Sequence, residues 1–285
     1  MYYSIENEYL IAQIDDMGAQ LHSLITKDDG CEYLWQGNPD VWYGQAPVLF
    51  PVIGQLYEDK FRYDGAEYPL AKHGFARKML FEAADVEGAR AVFILRSNED
   101  TLAMFPFAFE LAVCFELVGR AIKVTHTVTN LDDKKMYFSL GAHPGFNCEI
   151  GDYLEFEESE EGAQVEKIDK ENIIIGTKFD VELEEGRRLR LTPDLFAEDA
   201  LIFSDLNSNV VTLKSDNHSR TVRFDFGDAP FLGIWAKPNA PYVCIEPWYG
   251  VNDDRIRYED VSQKRGIQSL EPEDSFDLAW IAELE

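Results

Sequence analysis

Two residues of this chain, Glu246 and His143, carry side chains suited to proton transfer. Glu246 lies between the strand-like run 241–245 and the Pro-Trp-Tyr-Gly segment 247–250, so an acid stands beside aromatic rings. His143 directly follows the strand-like run 137–140 and precedes a Pro-Gly pair. We expect each residue to end an apolar strand on the approach to a turn, where one cleft could hold both. A glutamate base beside a histidine donor is chemically reasonable at neutral pH if the site raises the imidazole pKa.

The other histidines are interpreted from their surroundings. His73 opens the turn-like His-Gly-Phe-Ala-Arg block and is a second candidate for a site. His22 and His126 lie in strand-like runs and His218 lies in a polar turn, so we interpret these three as structural. Other chemistries fit less well, because the chain has no Gly-x-Ser-x-Gly elbow, Walker loop, dinucleotide-binding glycine pattern or His-Glu-x-x-His pair. Glycosidic hydrolysis by two carboxylates stays open.

The composition argues against several classes of partner. The 285 residues carry a net charge of −27, which repels nucleic acids and anionic membranes. No apolar run approaches the ~20 residues that a membrane helix needs. The first residues lack a basic region followed by an apolar stretch, so we expect a cytoplasmic protein. Four cysteines without a Cys-x-x-Cys spacing are predicted to be buried free thiols: Cys31, Cys114, Cys148 and Cys244.

Short β-branched and aromatic runs alternate with turn clusters along the chain, which predicts antiparallel strands. One short helix is predicted to begin at Thr192, with Pro193 as its first residue. Because no long helices alternate with the strands and no linker divides the chain, we predict an all-β fold and a single domain over residues 1–285. The acidic stretch 155–161 is predicted to be a solvated loop, with a cation site as the alternative. The clearest strand-like runs are 91–95, 107–117, 121–129, 136–140, 210–213, 221–226 and 231–236.

Several blocks occur in a fixed order along most of the chain, and together they are far more specific than any single motif. They are Tyr-Leu-Trp-Gln-Gly at 33–37, the segment 46–54, His-Gly-Phe-Ala-Arg at 73–77, Gly-Ala-His-Pro-Gly-Phe-Asn at 141–147, and Ile-Trp-Ala-Lys-Pro at 234–238 leading into 244–250. On these residues the chain resembles the aldose 1-epimerase, or galactose mutarotase-like, superfamily and specifically its LacX-like branch. The resemblance implies a single large antiparallel β-supersandwich with one or two short helices, and a reaction that requires no metal or organic cofactor.

The resemblance also implies roles for individual residues. His143 corresponds to the general acid of the family and Glu246 to its general base. His73 and Asp199 fall where the family places residues that contact the sugar, so the expected partner is a small sugar. An apolar platform for the sugar is expected from one or more of three aromatic residues, each of which could equally belong to the core: Trp248, Tyr249 and Phe146.

One departure from the family pattern concerns substrate recognition. Relatives commonly carry an arginine after Phe-Pro-x-x-Gly, whereas this chain has Gln55. Arg77 is a candidate for the missing cation. Three functions stay open: epimerisation of a free hexose, epimerisation of a hexose 6-phosphate held by Arg77 with Lys72 or Lys78, and sugar binding without catalysis. A monomer and a homodimer are both compatible with the sequence.

Overall fold

The chain folds almost entirely into strands, and the computed structural model describes all 285 residues. Helical structure is limited to one α-helical turn, α1 (Glu99–Leu102), and to 3₁₀ turns at Tyr57–Asp59, Ala76–Lys78 and Val261–Gln263. No helix is long and apolar enough to cross a membrane. The strands are β1 (Tyr2–Glu6), β2 (Leu10–Asp15), β3 (Gln20–Thr26), β4 (Val48–Leu49), β5 (Lys60–Tyr63), β6 (Ala66–Pro69), β7 (Glu82–Glu87), β8 (Arg90–Arg96), β9 (Phe109–Val118), β10 (Ala121–Asn130), β11 (Met136–Phe138), β12 (Leu140–Ala142), β13 (Gly145–Asn147), β14 (Tyr153–Phe156), β15 (Gln164–Ile168), β16 (Ile174–Asp180), β17 (Arg188–Arg190), β18 (Leu201–Ser204), β19 (Val210–Lys214), β20 (Val222–Asp225), β21 (Phe231–Trp235), β22 (Tyr242–Tyr249), β23 (Gln268–Leu270) and β24 (Ser275–Leu284).

Two large antiparallel sheets contain most of the strands. The nine-stranded sheet has the order β17-β14-β19-β20-β24-β10-β9-β8-β7. The eight-stranded sheet has the order β16-β15-β18-β21-β22-β12-β4, and β13 also pairs with β22. Smaller sheets are formed by β1-β2-β3, by β5-β6 and by β11-β23. Strand β22 is therefore paired along both edges, with β21 on one side and with β12 and β13 on the other.

The two large sheets share an apolar core. Strands β9 and β10 bury every second residue, as expected when one face of a sheet packs inward. Aromatic contacts join the sheets: Phe156 of β14 packs on Phe203 of β18, and Phe146 of β13 packs on Phe224 of β20. One connected cluster of 65 buried apolar residues extends through both. This architecture confirms the predicted all-β supersandwich.

The strand-like runs identified in the sequence predicted the positions of the strands closely. The run 91–95 lies in β8, 121–129 in β10 and 210–213 in β19, as predicted. The run 136–140 is divided into β11 and β12, which belong to different sheets. The division falls at Ser139, whose N–H donates to the carbonyl of Pro51 and not to a neighbouring strand.

The prediction of a helix that begins at Thr192 is wrong. Residues 193–198 form successive turns, in which the Leu195 N–H donates to the Thr192 carbonyl, and no α-helix follows. A proline and an N-cap residue cannot by themselves offset the cost of nucleating a short helix. The α-helical turn is α1, where the side chain of Asn98 accepts from the Thr101 N–H in a capping box.

The acidic stretch 155–161 is only partly the solvated loop that we predicted. Glu155 belongs to β14 and pairs with Arg188, with 2.7 Å between Oε1 and Nε. Glu160 is buried, and one of its oxygens accepts from the Ser208 N–H at 2.8 Å. Charge-assisted hydrogen bonds of this kind allow a carboxylate to be buried.

All four cysteines are free thiols, as predicted. Only Cys244 is fully buried, whereas Cys31, Cys114 and Cys148 are half-buried. The prediction that all four are buried is therefore correct for Cys244 alone.

Candidate active site

His143 and Glu246 lie directly opposite each other in the eight-stranded sheet. Gly141 of β12 pairs with Trp248 of β22, and β13 pairs with the other half of β22 in the same register. This common register places His143, in the connection between β12 and β13, across from Glu246. His143 Nε2 lies 3.2 Å from Glu246 Oε1. The strand pairing thus brings together the two side chains that the sequence singled out.

Glu246 does not end its strand, contrary to prediction, because β22 continues through Pro247 to Tyr249. The Ile245 N–H donates to the Pro144 carbonyl, and the pairing with β12 resumes where Trp248 lies opposite Gly141. Pro247, which has no N–H to donate, lies between these two points. A strand that is paired along both edges holds the Glu246 carboxylate on a rigid support.

Burial determines the charge state of the pair. Glu246 is 1% exposed and His143 is 8% exposed. Loss of hydration raises the pKa of the Glu246 carboxyl well above its usual value, and a hydrogen bond from Trp248 and the charge of Lys72 oppose this rise. Burial lowers the pKa of His143 to about 3, so the condition of a raised imidazole pKa is not met. Both shifts favour the neutral forms, in which the pair holds one dissociable proton.

Three indole rings surround the pair. The Trp248 Nε1–H donates to Glu246 Oε2 at 3.2 Å. Trp42 stacks on the His143 ring with 5.1 Å between the ring centroids, and Trp235 meets that ring edge-on at 5.7 Å. Trp248 therefore orients the acid, and Trp42 and Trp235 fix the plane of the imidazole.

His73 is held in one tautomer by the backbone. The Gly54 N–H donates to His73 Nδ1 at 3.1 Å, so the ring proton lies on Nε2. His73 has a φ of 64° and Gly74 a φ of 69°, and a Cβ on Gly74 would lie 2.1 Å from the Phe50 carbonyl oxygen. Burial, together with the neighbouring imidazole of His143, lowers the pKa of His73 well below its usual value. His73 thus offers a neutral N–H donor.

A cavity of about 360 Å³ opens over the pair. Its volume lies in the range of small-molecule sites. The cavity wall contains six of the residues predicted for the site, namely His73, Arg77, His143, Asp199, Glu246 and Trp248.

Three cations, Lys72, Arg77 and Lys237, line the same cavity without an acidic partner in salt-bridge contact. Arg77 Nη2 donates to the Lys72 carbonyl at 2.8 Å, while its buried Nε has no partner. Lys72 Nζ contacts the Asn172 side-chain oxygen. Burial lowers the pKa of both Lys72 and Arg77. In a protein of net charge −27, this group makes the cavity wall locally basic.

Asp199 provides the second carboxylate of the cavity wall. It has a φ of 77°, a conformation that aspartate tolerates better than most residues, and its Oδ1 accepts from the Ala200 N–H at 2.8 Å. Its charge contributes to the raised pKa of Glu246, whereas that of Lys72 acts in the opposite direction. Asp199 therefore adds a hydrogen-bond acceptor to the cavity wall.

Three of the predicted sugar-contacting residues lie away from the cavity. The Gln55 side chain donates to the Leu56 carbonyl at 3.1 Å and does not line the cavity. Phe146 is fully buried in the core. The Tyr249 hydroxyl donates to Asp228 at 2.6 Å, and its ring packs elsewhere.

Several residues of the cavity wall were not assigned a role from the sequence: Trp42, Asn172, Trp235, Lys237 and Asn252. Trp235 and Lys237 belong to a block that carried the family resemblance, which was a usable signal. Trp42, Asn172 and Asn252 come from connections between strands, where side-chain periodicity gives no information about position.

The fold and the site together define a β-supersandwich protein with a buried acid-base pair at the wall of a small-molecule cavity. The sequence model of the family described as "Aldose 1-epimerase" matches residues 1–253. The chain is 35% identical to the plasmid-encoded protein LacX of Lactococcus lactis subsp. lactis, with 96% of each chain covered. This chain belongs to the aldose 1-epimerase family.

Solved structures agree with this assignment. A galactose mutarotase-like protein from Lactobacillus casei superposes with a TM-score of 0.95 at 34% identity, and all of both chains is covered. A galactose mutarotase related enzyme from Lactobacillus acidophilus superposes with a TM-score of 0.94 at 33% identity, covering 100% of this chain and 97% of the other. The similarity thus extends over the full length of the chain.

Proposed function

We propose that this protein is an aldose 1-epimerase that interconverts the α and β anomers of a free hexose. The observation that supports this most directly is the contact between His143 and Glu246 at the wall of the cavity. A protein that only binds a sugar needs hydrogen-bonding groups but no buried pair able to exchange a proton. Membership of the aldose 1-epimerase family supports the same class of reaction.

In the proposed reaction, ionised Glu246 accepts the proton of the anomeric hydroxyl while protonated His143 donates a proton to the ring oxygen. The C1–O5 bond breaks and the C1–O1 bond becomes a carbonyl. Rotation about C1–C2 presents the other face of the aldehyde, and the reverse transfers close the ring as the opposite anomer. Over ring opening the proton count of the pair does not change, because one proton enters at Glu246 and one leaves from His143.

The surroundings of the pair suit such a transfer. Burial favours the neutral pair, which is the state reached once the ring has opened. The Trp248 hydrogen bond and the Lys72 charge favour the ionised carboxylate that the first step needs. These two interactions therefore oppose, without reversing, the preference that burial gives to the neutral pair.

Two further residues are proposed to hold the sugar. His73 Nε2–H is proposed as a donor to a sugar oxygen, since its Nδ1 is engaged by the Gly54 N–H. Asp199 is proposed as an acceptor from a hydroxyl group. Neither residue moves a proton in the reaction, so their loss is expected to raise KM more than it lowers kcat.

The proposal is tested by exchange NMR between the two anomers of glucose, galactose and other common aldoses, with purified wild-type protein. We expect at least one free hexose to exchange faster than in buffer. If a panel of aldoses shows anomer-selective binding without faster exchange, the chain is a carbohydrate-binding protein and the enzymatic proposal fails.

A second candidate substrate is a hexose 6-phosphate, and the observation that favours it is the group of unpaired cations Lys72, Arg77 and Lys237 on the cavity wall. A phosphate group would provide the acidic partner that these side chains lack. Lys78, which the sequence also suggested, is exposed and does not line the cavity.

The two substrates are distinguished by Arg77→Gln, with Lys78→Gln as the matched control on the same turn. If the phosphate is recognised, Arg77→Gln lowers kcat/KM for the 6-phosphate about tenfold or more relative to the free hexose, the usual loss for a charged hydrogen bond. Lys78→Gln leaves the ratio of the two substrates unchanged. Equal losses for both substrates in Arg77→Gln would exclude this form of phosphate recognition.

A further inference from the structure

A third polar residue, Cys244, lies beside the proton-transfer pair and has no part in the proposed reaction. Cys244 and Glu246 are two residues apart on β22, so their side chains project from the same face of the sheet. His143 approaches that face from the neighbouring strand connection. An imidazole nitrogen, the Cys244 Sγ and a Glu246 carboxylate oxygen all lie within 4.8 Å of one another.

This donor set matches the preferences of a thiophilic divalent cation. Zinc binds thiolate, imidazole and carboxylate ligands together, with four ligands in tetrahedral arrangement. Zinc bond lengths of about 2.0–2.3 Å place tetrahedral ligand atoms about 3.4–3.6 Å apart, so the three side chains need to approach one another by only about 1 Å. All three residues are buried, unlike the exposed acidic clusters that are common on protein surfaces.

The thiol is closely packed, and the strand beside it has no side chain at the paired position. Residue 145, which pairs with Cys244, is glycine, and a Cβ there would lie 3.3 Å from the Cys244 Sγ and 3.0 Å from the Trp42 ring. His143 and Glu246 line the cavity, which gives a route by which an ion reaches the cluster.

We propose that His143, Cys244 and Glu246 form a binding site for a thiophilic divalent cation such as Zn²⁺, and that its occupation inhibits the enzyme. The ion takes the place of the thiol proton of Cys244 and is coordinated as well by an imidazole nitrogen of His143 and a carboxylate oxygen of Glu246. With both members of the pair coordinated, neither can exchange a proton with a sugar. Ion binding itself does not depend on the proposed epimerase activity.

The test uses the full-length protein, freed of metal, and two titrations. Addition of Cd²⁺ is followed by the ultraviolet charge-transfer absorption of a cadmium–thiolate bond, and Zn²⁺ affinity is measured by calorimetry. The variants are Cys244→Ala and, as the matched control, Cys148→Ala on the adjoining β-strand connection. We expect wild type and Cys148→Ala to bind one ion per chain with the thiolate absorption. Cys244→Ala should lose the absorption and bind Zn²⁺ at least about tenfold more weakly.

Two results would overturn the proposal: wild type without the cadmium–thiolate absorption, or Cys244→Ala with unchanged absorption and affinity. If Cys244→Ala does not fold, Glu246→Gln replaces it as the test variant. The proposal then requires Glu246→Gln to bind Zn²⁺ at least about tenfold more weakly while keeping the cadmium–thiolate absorption. These titrations contain no sugar, so they separate failure of the metal site from failure of the proposed reaction. If exchange of a hexose is found, Zn²⁺ should slow it relative to the metal-free rate of the same protein.

Discussion

His143 and Glu246 face each other across the register of β12, β13 and β22, with 3.2 Å between Nε2 and Oε1. The backbone of three strands therefore sets their separation, and no flexible loop intervenes on the Glu246 side. Burial removes most of their hydration and favours a pair with a single dissociable proton.

Glu246→Gln should lower the catalytic activity and raise the stability of the protein. We expect the rate of anomer exchange to fall about 10²–10⁴-fold, because the amide cannot accept the hydroxyl proton. The free energy of unfolding at pH 7 should rise. The pKa of Glu246 is raised in the folded protein, so above pH 4.5 this carboxyl loses its proton more readily in the unfolded chain than in the folded one. The carboxyl therefore lowers the free energy of unfolding above pH 4.5 and has no such effect below that pH.

Denaturant unfolding of both proteins at pH 7 and at pH 4 measures the difference. Equal stabilities at pH 4 together with a more stable variant at pH 7 are expected. A variant that is less stable than wild type at pH 7 would show that the ionised carboxylate stabilises the fold, against this account.

The pH dependence of kcat/KM should report the single proton of the pair. A second proton binds His143 only near its pKa of about 3, so we expect no acid limb over the range where the protein is assayed. The last proton is lost at the raised pKa of Glu246, so kcat/KM should fall on the alkaline side at a pH well above 4.5. A rate that increases steadily with pH through neutrality would mean that ionised Glu246 with neutral His143 is the active form.

Trp248→Phe should impair catalysis through Glu246. The change keeps an aromatic ring but removes the N–H that donates to Glu246 Oε2, so the pKa of Glu246 rises further. We expect kcat/KM to fall about tenfold, which corresponds to loss of one hydrogen bond to a charged group, and the alkaline limb to move to higher pH. A lower kcat/KM with an unchanged alkaline limb would instead indicate that Trp248 acts on the sugar.

His126→Leu should flatten the decline of stability in acid. His126 faces the core from β10, and burial lowers its pKa to about 4. Between pH 6.5 and about 4 the unfolded chain therefore binds a proton that the folded one does not, which costs up to about 3 kcal/mol by pH 4. Unfolding curves at several pH values measure the slope, with Val124→Ala on the same face as the control that changes stability without changing the slope. An unaltered slope in His126→Leu would contradict the prediction.

Strand positions and the general layout of the site followed from sequence because both depend on local patterns. Alternation located β8, β10 and β19, and the positions of His143 and Glu246 beside apolar runs indicated that they could meet. The helix predicted at Thr192 failed because capping residues alone do not show whether a helix has enough neighbours to form.

Other features required the three-dimensional arrangement. The pKa of His143 depends on the depth of burial, which the residues around it in sequence do not reveal. Asn172 reaches the cavity through contacts of a strand connection with Lys72 and Asn252. Gln55 is next to a strongly patterned segment, yet its side chain turns to Leu56.

The central claim is that His143 and Glu246 act as one proton-transferring pair, and a double-mutant cycle tests it most directly. Exchange NMR on the hexose that wild type converts fastest is measured for wild type, His143→Asn, Glu246→Gln and the double variant. If the pair acts as a unit, each single change costs about 10²–10⁴-fold and the double variant is no slower than the slower single variant. Losses that multiply in the double variant, or full activity in either folded single variant, would contradict the claim.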